Sequence, residues 1–436
     1  MDTDVRSFEN LTRSLSGLAE YTVVDADDAG VAGLNVTVRR TRAEAACPAC
    51  GEFSFRVKSC RTSTVRDAAW AARPTVLLVA KRAFRCDATG CARKSFTETT
   101  AEVPARARTT TRCREAIGVA GRDRSTASVA REYLVSWGTA WAAIQGVARR
   151  ALANSLRKAV TRIGIDETRF WWKQPWLTGI VDLDTSGLVG IVCGRSGSSV
   201  IEWVNSLSDL ERANILVVVT DPHAGYRRAV ADHLPTSVQV VDRFHVAMLA
   251  NKAITDVRRR RMWELQDRRG RRVDPSWRAR RDLCRRSANL TANGWKRIIE
   301  AMRTDNATST GELDGDVLWT WAAKEYLADL YDTCVDRAHA QRQLMWWYSF
   351  IADHHVPELV RLATTISQWE NEFLNYFDTR ATNGRVEGRN RIIKHVKRLG
   401  FGFTNTDNYT LRIRYRCLPV TSPIKPAKQA PAASIA

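Results

Sequence analysis

No apolar run in this 436-residue sequence approaches the length of a bilayer span: the longest, such as 215–219 (ILVVV) and 76–80 (VLLVA), fall far short of the roughly 20 residues required. A spanning helix is excluded. The first residues, MDTDVRSFENL, lack the basic-then-apolar order of an export signal, and no repeat with a period of about 20 to 50 residues marks a solenoid or propeller. Without an export signal the chain is placed in the cytoplasm, where its ten cysteines are expected to stay reduced. Acidic side chains are also in deficit. There are 47 Asp and Glu against 67 Lys and Arg, a formal net charge of +20. Such an excess favours a polyanionic partner, DNA or RNA ahead of an acidic membrane surface, because each phosphate neutralised releases condensed counterions.

What is present is an ordinary globular composition, 44% apolar and 26% charged, long enough for two to four structural units. Residues 1–42 form an N-terminal segment with strand-like stretches at 21–24 and 34–38 around a turn-rich DADDAGVAG, and no function is assigned to it. Residues 43–100 hold a cysteine cluster around strand-like runs at 65–70 and 74–84. Residues 101–158 turn helical. Residues 159–250 alternate as strand (161–170), strand (176–183), strand (188–194), helix (200–207), strand (215–219), helix (224–233) and strand (238–241), a mixed α/β core. Residues 251–370 read as helical throughout, and 371–415 contain a further strong helix at 384–398. The tail, 416–436, is rich in Pro, Ala and Lys and is expected to be disordered.

Cys47 and Cys50 form Cys-Pro-Ala-Cys-Gly, and Cys86 with Cys91 forms a second pair after strand-like sequence. A tight Cys-x-x-Cys turn aims two thiolates at one point and a second pair completes a tetrahedral site, so one structural Zn²⁺ is expected in a zinc ribbon. A redox Cys-x-x-Cys would need no second pair. Cys60 is read as a small buried residue, with a substitute ligand as the alternative role.

Residues 125–151, STASVAREYLVSWGTAWAAIQGVARRA, have the pattern of a helix-turn-helix. Val129, Ala130 and Tyr133 give the first helix its apolar face, Leu134 and Val135 fill the turn, and Ser136 caps the second helix. The opening residues of that helix would face base edges, which makes Trp137, Gly138, Thr139 and Trp141 the base-reading candidates and Arg149 and Arg150 the phosphate contacts. A plain helical hairpin is the competing reading.

Three acids stand in settings that suit metal chemistry. Asp166, in RIGIDETRFWW, lies on an apolar strand that puts Glu167 on the opposite face; Asp221, in ILVVVTDPHAGY, ends a continuous apolar strand, where α/β sheets gather ligands and catalytic groups. A helix cap is the alternative role for Asp221. In TNGRVEGRNRIIKHVKR, Asn383, Glu387, Asn390 and Lys394 recur at helical spacing, so one face carries an acid, two amides and a cation, with Val386 and Ile393 on the core side. In-line attack on a phosphodiester uses one divalent ion to activate the attacking oxygen and another to stabilise the leaving one, and oxygen ligands suit two Mg²⁺ or Mn²⁺ per site. Asp166 would bridge both ions while Asp221 and Glu387 hold one each. Asp182, Asp184, Asp242, Glu370 and Glu372 are competing acids.

The order CPACG, second cysteine pair, SVAREYLVSWGTAW, GIDE, VVVTDPHAGY, VVDRFHVAMLANKAITDVRRR and NGRVEGRNRIIKHVKRLGFGFTN resembles the insertion-sequence transposases of the ISL-three family, over about residues 43 to 415. The resemblance implies an RNase H-like catalytic core interrupted by an all-α insertion before the glutamate, and it favours Asp166, Asp221 and Glu387 over the competing acids. It further implies that Asp242 and His245 form an Asp-x-x-His signature that positions DNA or supports the metal site, against a plain role in which Asp242 caps a helix and His245 packs beneath it. The expected fold is a multidomain α/β chain of zinc ribbon, helix-turn-helix domain and interrupted core. The expected function is binding of an element's terminal inverted repeats, then DNA cleavage and strand transfer. The partners would be double-stranded transposon ends and target DNA, with a homodimer or higher oligomer on paired ends, no membrane, and a place with the bacterial nucleoid.

The insertion opens with a dense basic run, 252–286, containing RRRR, RRGRR and RARR with Trp263 and Trp277 between them. Its density predicts phosphate contacts, Arg258, Arg259, Arg260 and Arg261 foremost, with Lys394, Lys397 and Arg398 steering the scissile strand. Two other classes compete: a structure-specific RNase H-like nuclease, and a zinc-ribbon/helix-turn-helix transcription regulator with an inactive core. A serine recombinase is disfavoured because no serine sits in a suitable Arg-rich strand-turn setting.

Overall fold

The computed structural model describes residues 17–28, 30, 33–70, 73–155, 159–169, 176–305 and 315–419. The chain divides into two compact units, residues 1–156 with 395–418, and residues 157–394 with 419–436.

The first unit is built on a five-stranded sheet. Strands β1 (Tyr21–Asp28) and β2 (Leu34–Arg40) pair antiparallel, and the short β3 (Ala45–Ala46) and β4 (Phe53–Ser54) form a separate hairpin around the first cysteine pair. Then β5 (Val57–Trp70) and β6 (Arg73–Arg85) make a long antiparallel pair, β6 lies parallel to β2, and β7 (Ser95–Thr97) pairs with the far end of β6. Alternation explains β6: Thr75, Leu77, Val79 and Lys81 are buried at every second position, and the Lys81 ammonium is satisfied by the carbonyls of Pro104 and Ala107, 3.3 Å each. The run expected to be a turn is partly strand. Asp25 to Asp28 pair with Thr37 to Leu34 after a bulge, which carries β1 through the acidic stretch.

Three helices follow: α1 (Thr111–Ala120), α2 (Thr126–Glu132) and α3 (Trp137–Ala153). Each begins where a hydroxyl precedes it, with Thr110, Ser125 and Ser136 accepting from the backbone N–H of Cys113, Ser128 and Thr139. Cys113, Ile117, Val129, Ala130, Ala140 and Ala143 form their shared core. Leu134 does not fill the turn as expected; it is exposed with a left-handed backbone (φ 51°), and Val135 packs in its place.

In the second unit the sheet order is β10-β9-β8-β11-β12, from β8 (Arg162–Arg169), β9 (Trp176–Asp182), β10 (Leu188–Cys193), β11 (Val217–Thr220) and β12 (Val238–Val241). The first three strands form an antiparallel meander, while β11 and β12 run parallel to β8. Helix α4 (Gly197–Asn205), the short α5 (Asp209–Ala213) that sequence periodicity missed, and α6 (Ala224–His233) connect the parallel strands. Ile163, Ile165, Ile180, Val200, Val204, Tyr226 and Val230 pack one face of the sheet.

The remaining helices are α7 (Arg243–Gln266), α8 (Pro275–Arg278), α9 (Ala292–Asp305), α10 (Asp316–Thr333), α11 (Arg337–His354), α12 (Pro357–Gln368) and α13 (Glu370–Thr379). They share one core with the sheet's other face, including Val219, Val240, Val246, Leu344 and Trp347, whose indole N–H donates to the Ala323 carbonyl at 3.0 Å. Helix α14 (Gly384–Leu399) begins in the second unit and ends in the first, where α15 (Thr406–Cys417) follows. The segment expected to be disordered from 416 on is helical through Cys417, held by the buried Tyr415 and Cys417; residues 420–436 lie outside the described residues. No helix among the described residues is long and apolar enough to cross a membrane.

Candidate active site and metal centre

Strand pairing brings the first two acids level. Val219 of β11 lies opposite Gly164 of β8 in parallel register, so two residues further on Asp221 stands beside Asp166 where the strands deliver their carboxyl ends. Alternation along β8 sends Ile163, Ile165 and Glu167 to one face, where Tyr226 donates to Glu167 at 2.5 Å, and Gly164 and Asp166 to the other. That other face is crossed by α14 at very close range. A Cβ on Gly164 would come within 2.4 Å of both Asn383 and Val386, so only glycine permits the approach. Opposite Asp166 the partner residue is Gly179, and Asn390 reaches across from α14 to donate to Asp166 Oδ2 at 2.6 Å. The other Asp166 oxygen accepts from the Glu167 amide at 2.7 Å. Neither glycine was singled out from the sequence. For Gly164 the signal was there, as a small residue two positions before an acid on an otherwise apolar strand.

Burial first, then the neighbouring Asp221 carboxylate, push the Asp166 carboxyl up to about 6. His245 stands on the opposite side of the pair, its Nδ1 2.8 Å from Asp221 Oδ1 and 3.6 Å from Asp242 Oδ2. The 2.8 Å contact is electrostatic rather than an aligned hydrogen bond, since neither atom has a partner in hydrogen-bonding geometry. Burial opposes a charge on this imidazole, but the contacts with Asp221 and Asp242 outweigh it and raise the group to about 10. Asp242 does not cap α7 with its side chain. It accepts instead from the Asn383 amide at 3.0 Å, tying the start of α14 to the end of β12.

Glu387 departs from this cluster. The amides expected beside it are buried with Val386 and Ile393, every third or fourth residue of the sheet-facing side, whereas the Glu387 side chain is 57% exposed and ion-paired to Arg391 at 2.8 Å. The expected face is therefore split, its amide half against the sheet and its charged half, Glu387 with the exposed Lys394, on the rim. The competing acids are committed elsewhere. Asp182 accepts from the Asp184 amide in a turn, Glu370 from the Tyr348 hydroxyl at 3.1 Å, and Glu372 pairs with Arg227 at 2.7 Å.

A divalent cation fits the aspartate pair. Two carboxylates are held side by side, and the buried oxygens Asn383 Oδ1 and Asn390 Oδ1 beside them lack hydrogen-bond partners.

The four cysteines fit zinc directly. Cys47, Cys50, Cys86 and Cys91 place their sulfurs within 4.8 Å of one another, with 4.0 Å between Cys47 and Cys91 and 3.6 Å between Cys50 and Cys86. A tetrahedral site with Zn–S bonds of about 2.3 Å requires sulfurs roughly 3.8 Å apart. Among the described residues this is the one group of three or more ligating side chains so tightly gathered. The Ala88 amide favours the Cys86 thiolate, but burial and the three neighbouring sulfurs push it up to about 12, a repulsion that a cation removes. Cys60, expected to be buried, is exposed on β5.

Of the residues expected to read bases, Trp137 is 56% exposed and stacks on Trp141 at 6.0 Å, and Thr139 is half-buried with its hydroxyl 2.9 Å from Ser136 Oγ. Arg149 is exposed, while Arg150 pairs with Glu115. The basic run is a correction. Arg258 is buried, Arg260 is gripped by Glu358, Asp316 and Glu264, and Arg261 by Asp305 and Glu264, so two of the four arginines expected on phosphate are held by acids of the insertion and a third is out of solvent. Arg259 remains on the surface, as does Arg398, while Lys397 is half-buried.

Comparison with known proteins agrees with this architecture. The family model of the ISL-three (ISL3) DDE transposases, described as "Transposase", matches residues 163–413, and a second, described as "zinc-finger of transposase IS204/IS1001/IS1096/IS1165", matches residues 43–91. The transposase for insertion sequence element IS1557 of Mycobacterium tuberculosis is 25% identical over 282 residues, 61% of this chain and 63% of that protein. The chain thus spans under two thirds of that relative's length. The transposase for insertion sequence element IS1001 of Bordetella parapertussis is 24% identical over 383 residues, 87% of this chain and 91% of that protein. With more than half of its length inside the transposase model, the chain belongs to the ISL-three family of DDE transposases.

Proposed function

We propose that this chain binds the terminal inverted repeats of an insertion sequence and catalyses cleavage of the DNA strand and its transfer to target DNA. The observation that carries the reading is the placement of Asp166, within β8, beside Asp221, just past the end of the parallel β11, under a helix that bears Glu387. A meander of three strands followed by two parallel ones, in the order β10-β9-β8-β11-β12, supports an RNase H-like core interrupted by the helices from α7 to α13. The hydroxyl-capped α2 and α3, with the exposed Trp137 opening α3, support a helix-turn-helix that reads the element's ends.

In this reading Asp166, Asp221 and Glu387 hold divalent cations, Mg²⁺ or Mn²⁺, which activate the attacking oxygen and stabilise the leaving one when bound. Asn390 and the Glu167 amide fix the Asp166 carboxylate, and His245 orients Asp221. Glu387, now paired with Arg391, would be the third residue to hold the cation. Cys47, Cys50, Cys86 and Cys91 bind one structural zinc. The protein works in the cytoplasm at the nucleoid, as a dimer or higher oligomer on paired ends.

The test is an in vitro reaction on a labelled element end with Mg²⁺ or Mn²⁺, scored for both cleavage and joining. The wild-type chain should do both, and Asp166→Asn, Asp221→Asn and Glu387→Gln should each lose at least about a thousandfold while still binding the end. Near wild-type cleavage by any of the three removes that residue from the site. Cleavage without joining would make the protein a nuclease.

A further inference from the structure

Helix α14 ends at an energetic cost that its sequence could have avoided. Gly400 N donates to Val396 O, Phe401 N to Arg398 O and Gly402 N to Lys397 O, each at 3.1 Å, the last being the six-to-one bond of a Schellman end. That end needs one residue in the left-handed region, where glycine is usual because a Cβ is crowded. Here Phe401 takes it, at φ 52°, although a glycine stands on either side. Gly400 is itself committed, since a Cβ there would come within 2.6 Å of the Phe403 ring, which packs 5.0 Å from Tyr409. Burial does not compensate. Phe401 is 91% exposed, more than any other exposed large apolar side chain among the described residues. A bulky residue kept in a strained conformation and in water points to a role outside the fold.

Its surroundings say which partner. The exposed Arg398 lies in the same turn of α14 and Lys397 one residue before it, while the loop continues into the polar Thr404 and Asn405, so a single phenyl ring stands among cations and polar groups rather than in an apolar patch. Such a setting suits a polyanion with stackable faces, not a protein interface or a bilayer. The following helix lies on α3: Gln145 donates to Asn408 at 3.1 Å, and further along Tyr415 packs with Val147 and Ala148. Both helices therefore advance in the same sense, and the 400–405 loop leads toward the opening turns of α3, where Trp137 and Trp141 stack.

We infer that Phe401 is a wedge that enters a base step of the duplex held by the first unit, unstacking it as apolar side chains do in DNA-bending proteins. The inference rests on the reading of that unit as DNA-binding. It is tested on the full-length chain with Phe401→Gly and Phe401→Trp, by thermal unfolding, by affinity for the element's end, and by fluorescence of 2-aminopurine placed singly along that end. Phe401→Gly should leave the Tm unchanged or higher, because glycine relieves the strain, yet weaken end binding by about tenfold. At one position 2-aminopurine should brighten with the wild type, fail to brighten with Phe401→Gly, and brighten again with Phe401→Trp. A lower Tm for Phe401→Gly with unchanged fluorescence would make Phe401 structural, and loss of an oligomer with unchanged fluorescence would make it a subunit contact; either overturns the wedge. Failure of the wild type to bind the end removes the DNA-binding reading, and the wedge with it.

Discussion

The cysteine cluster and the carboxylate cluster gather metal ligands by opposite routes. Two short turns, Cys47 to Cys50 and Cys86 to Cys91, bring all four sulfurs within 4.8 Å, and little else in the chain is needed to aim them. The aspartates are set by strand register, Asn390 reaches Asp166 from a helix 224 residues away, and the third acid stays on the rim with Arg391. A site that stabilises the fold can be complete before its ion binds. The site proposed for chemistry holds two like charges together and keeps its third acid apart in an ion pair, which costs stability.

The largest effect that separates the two should come from joint Cys47→Ser and Cys50→Ser substitution. Metal analysis should fall from about one zinc per chain to none, and the first unit's unfolding transition should be lost while the second unit's persists. Unchanged unfolding of the first unit would show that zinc is dispensable there. Next, Asn390→Ala removes a charge-assisted hydrogen bond from a carboxylate expected to bind metal. Strand cleavage should slow by about 10- to 100-fold with end binding unaltered, as single-turnover assays would show.

A smaller effect concerns stability. The folded-state carboxyl of Asp166 is raised to about 6, so the folded chain holds a proton that the unfolded chain has released between about pH 4 and pH 6, and stability is lost as pH rises through that window. Metal-free Asp166→Asn should therefore be more stable than wild type at pH 7, by about 1–3 kcal/mol in denaturant titration, and no more stable at pH 4. His245 acts in a separate window: raised to about 10, it contributes stability present below about pH 6.5 and lost as pH rises toward 10. The smallest effect is expected at Arg391→Gln, which frees Glu387 and should tighten Mn²⁺ binding only a few-fold, because the pair it breaks is exposed.

How much was legible in the sequence follows the same division. The zinc ligands could be read because their spacing is local, and Asp166 and Asp221 because each interrupts an apolar strand. The helix with Glu387 was read with its amides on the acid's side. Spacing alone cannot tell which edge of a helical face meets the sheet, and Asn383, Val386, Asn390 and Ile393 form the buried row. The basic run misled for a different reason. Besides the nearby Glu264, the acids that hold Arg261 and Arg260 include Asp305 and Glu358, 44 and 98 residues further along the chain, so a density of charge that looked free is neutralised by folding.

The central claim is that Asp166, Asp221 and Glu387 share one divalent ion site although Glu387 stands apart from the pair. Fe²⁺ in place of Mg²⁺, with ascorbate and peroxide, cuts the polypeptide beside the bound ion, and the cut sites can be mapped by mass spectrometry. The account predicts cuts near residues 166, 221 and 387 together, suppressed by excess Mg²⁺ and lost in Asp221→Asn. Cuts near 166 and 221 joined by cuts near Asp184 or Glu372, with none near 387, would contradict it.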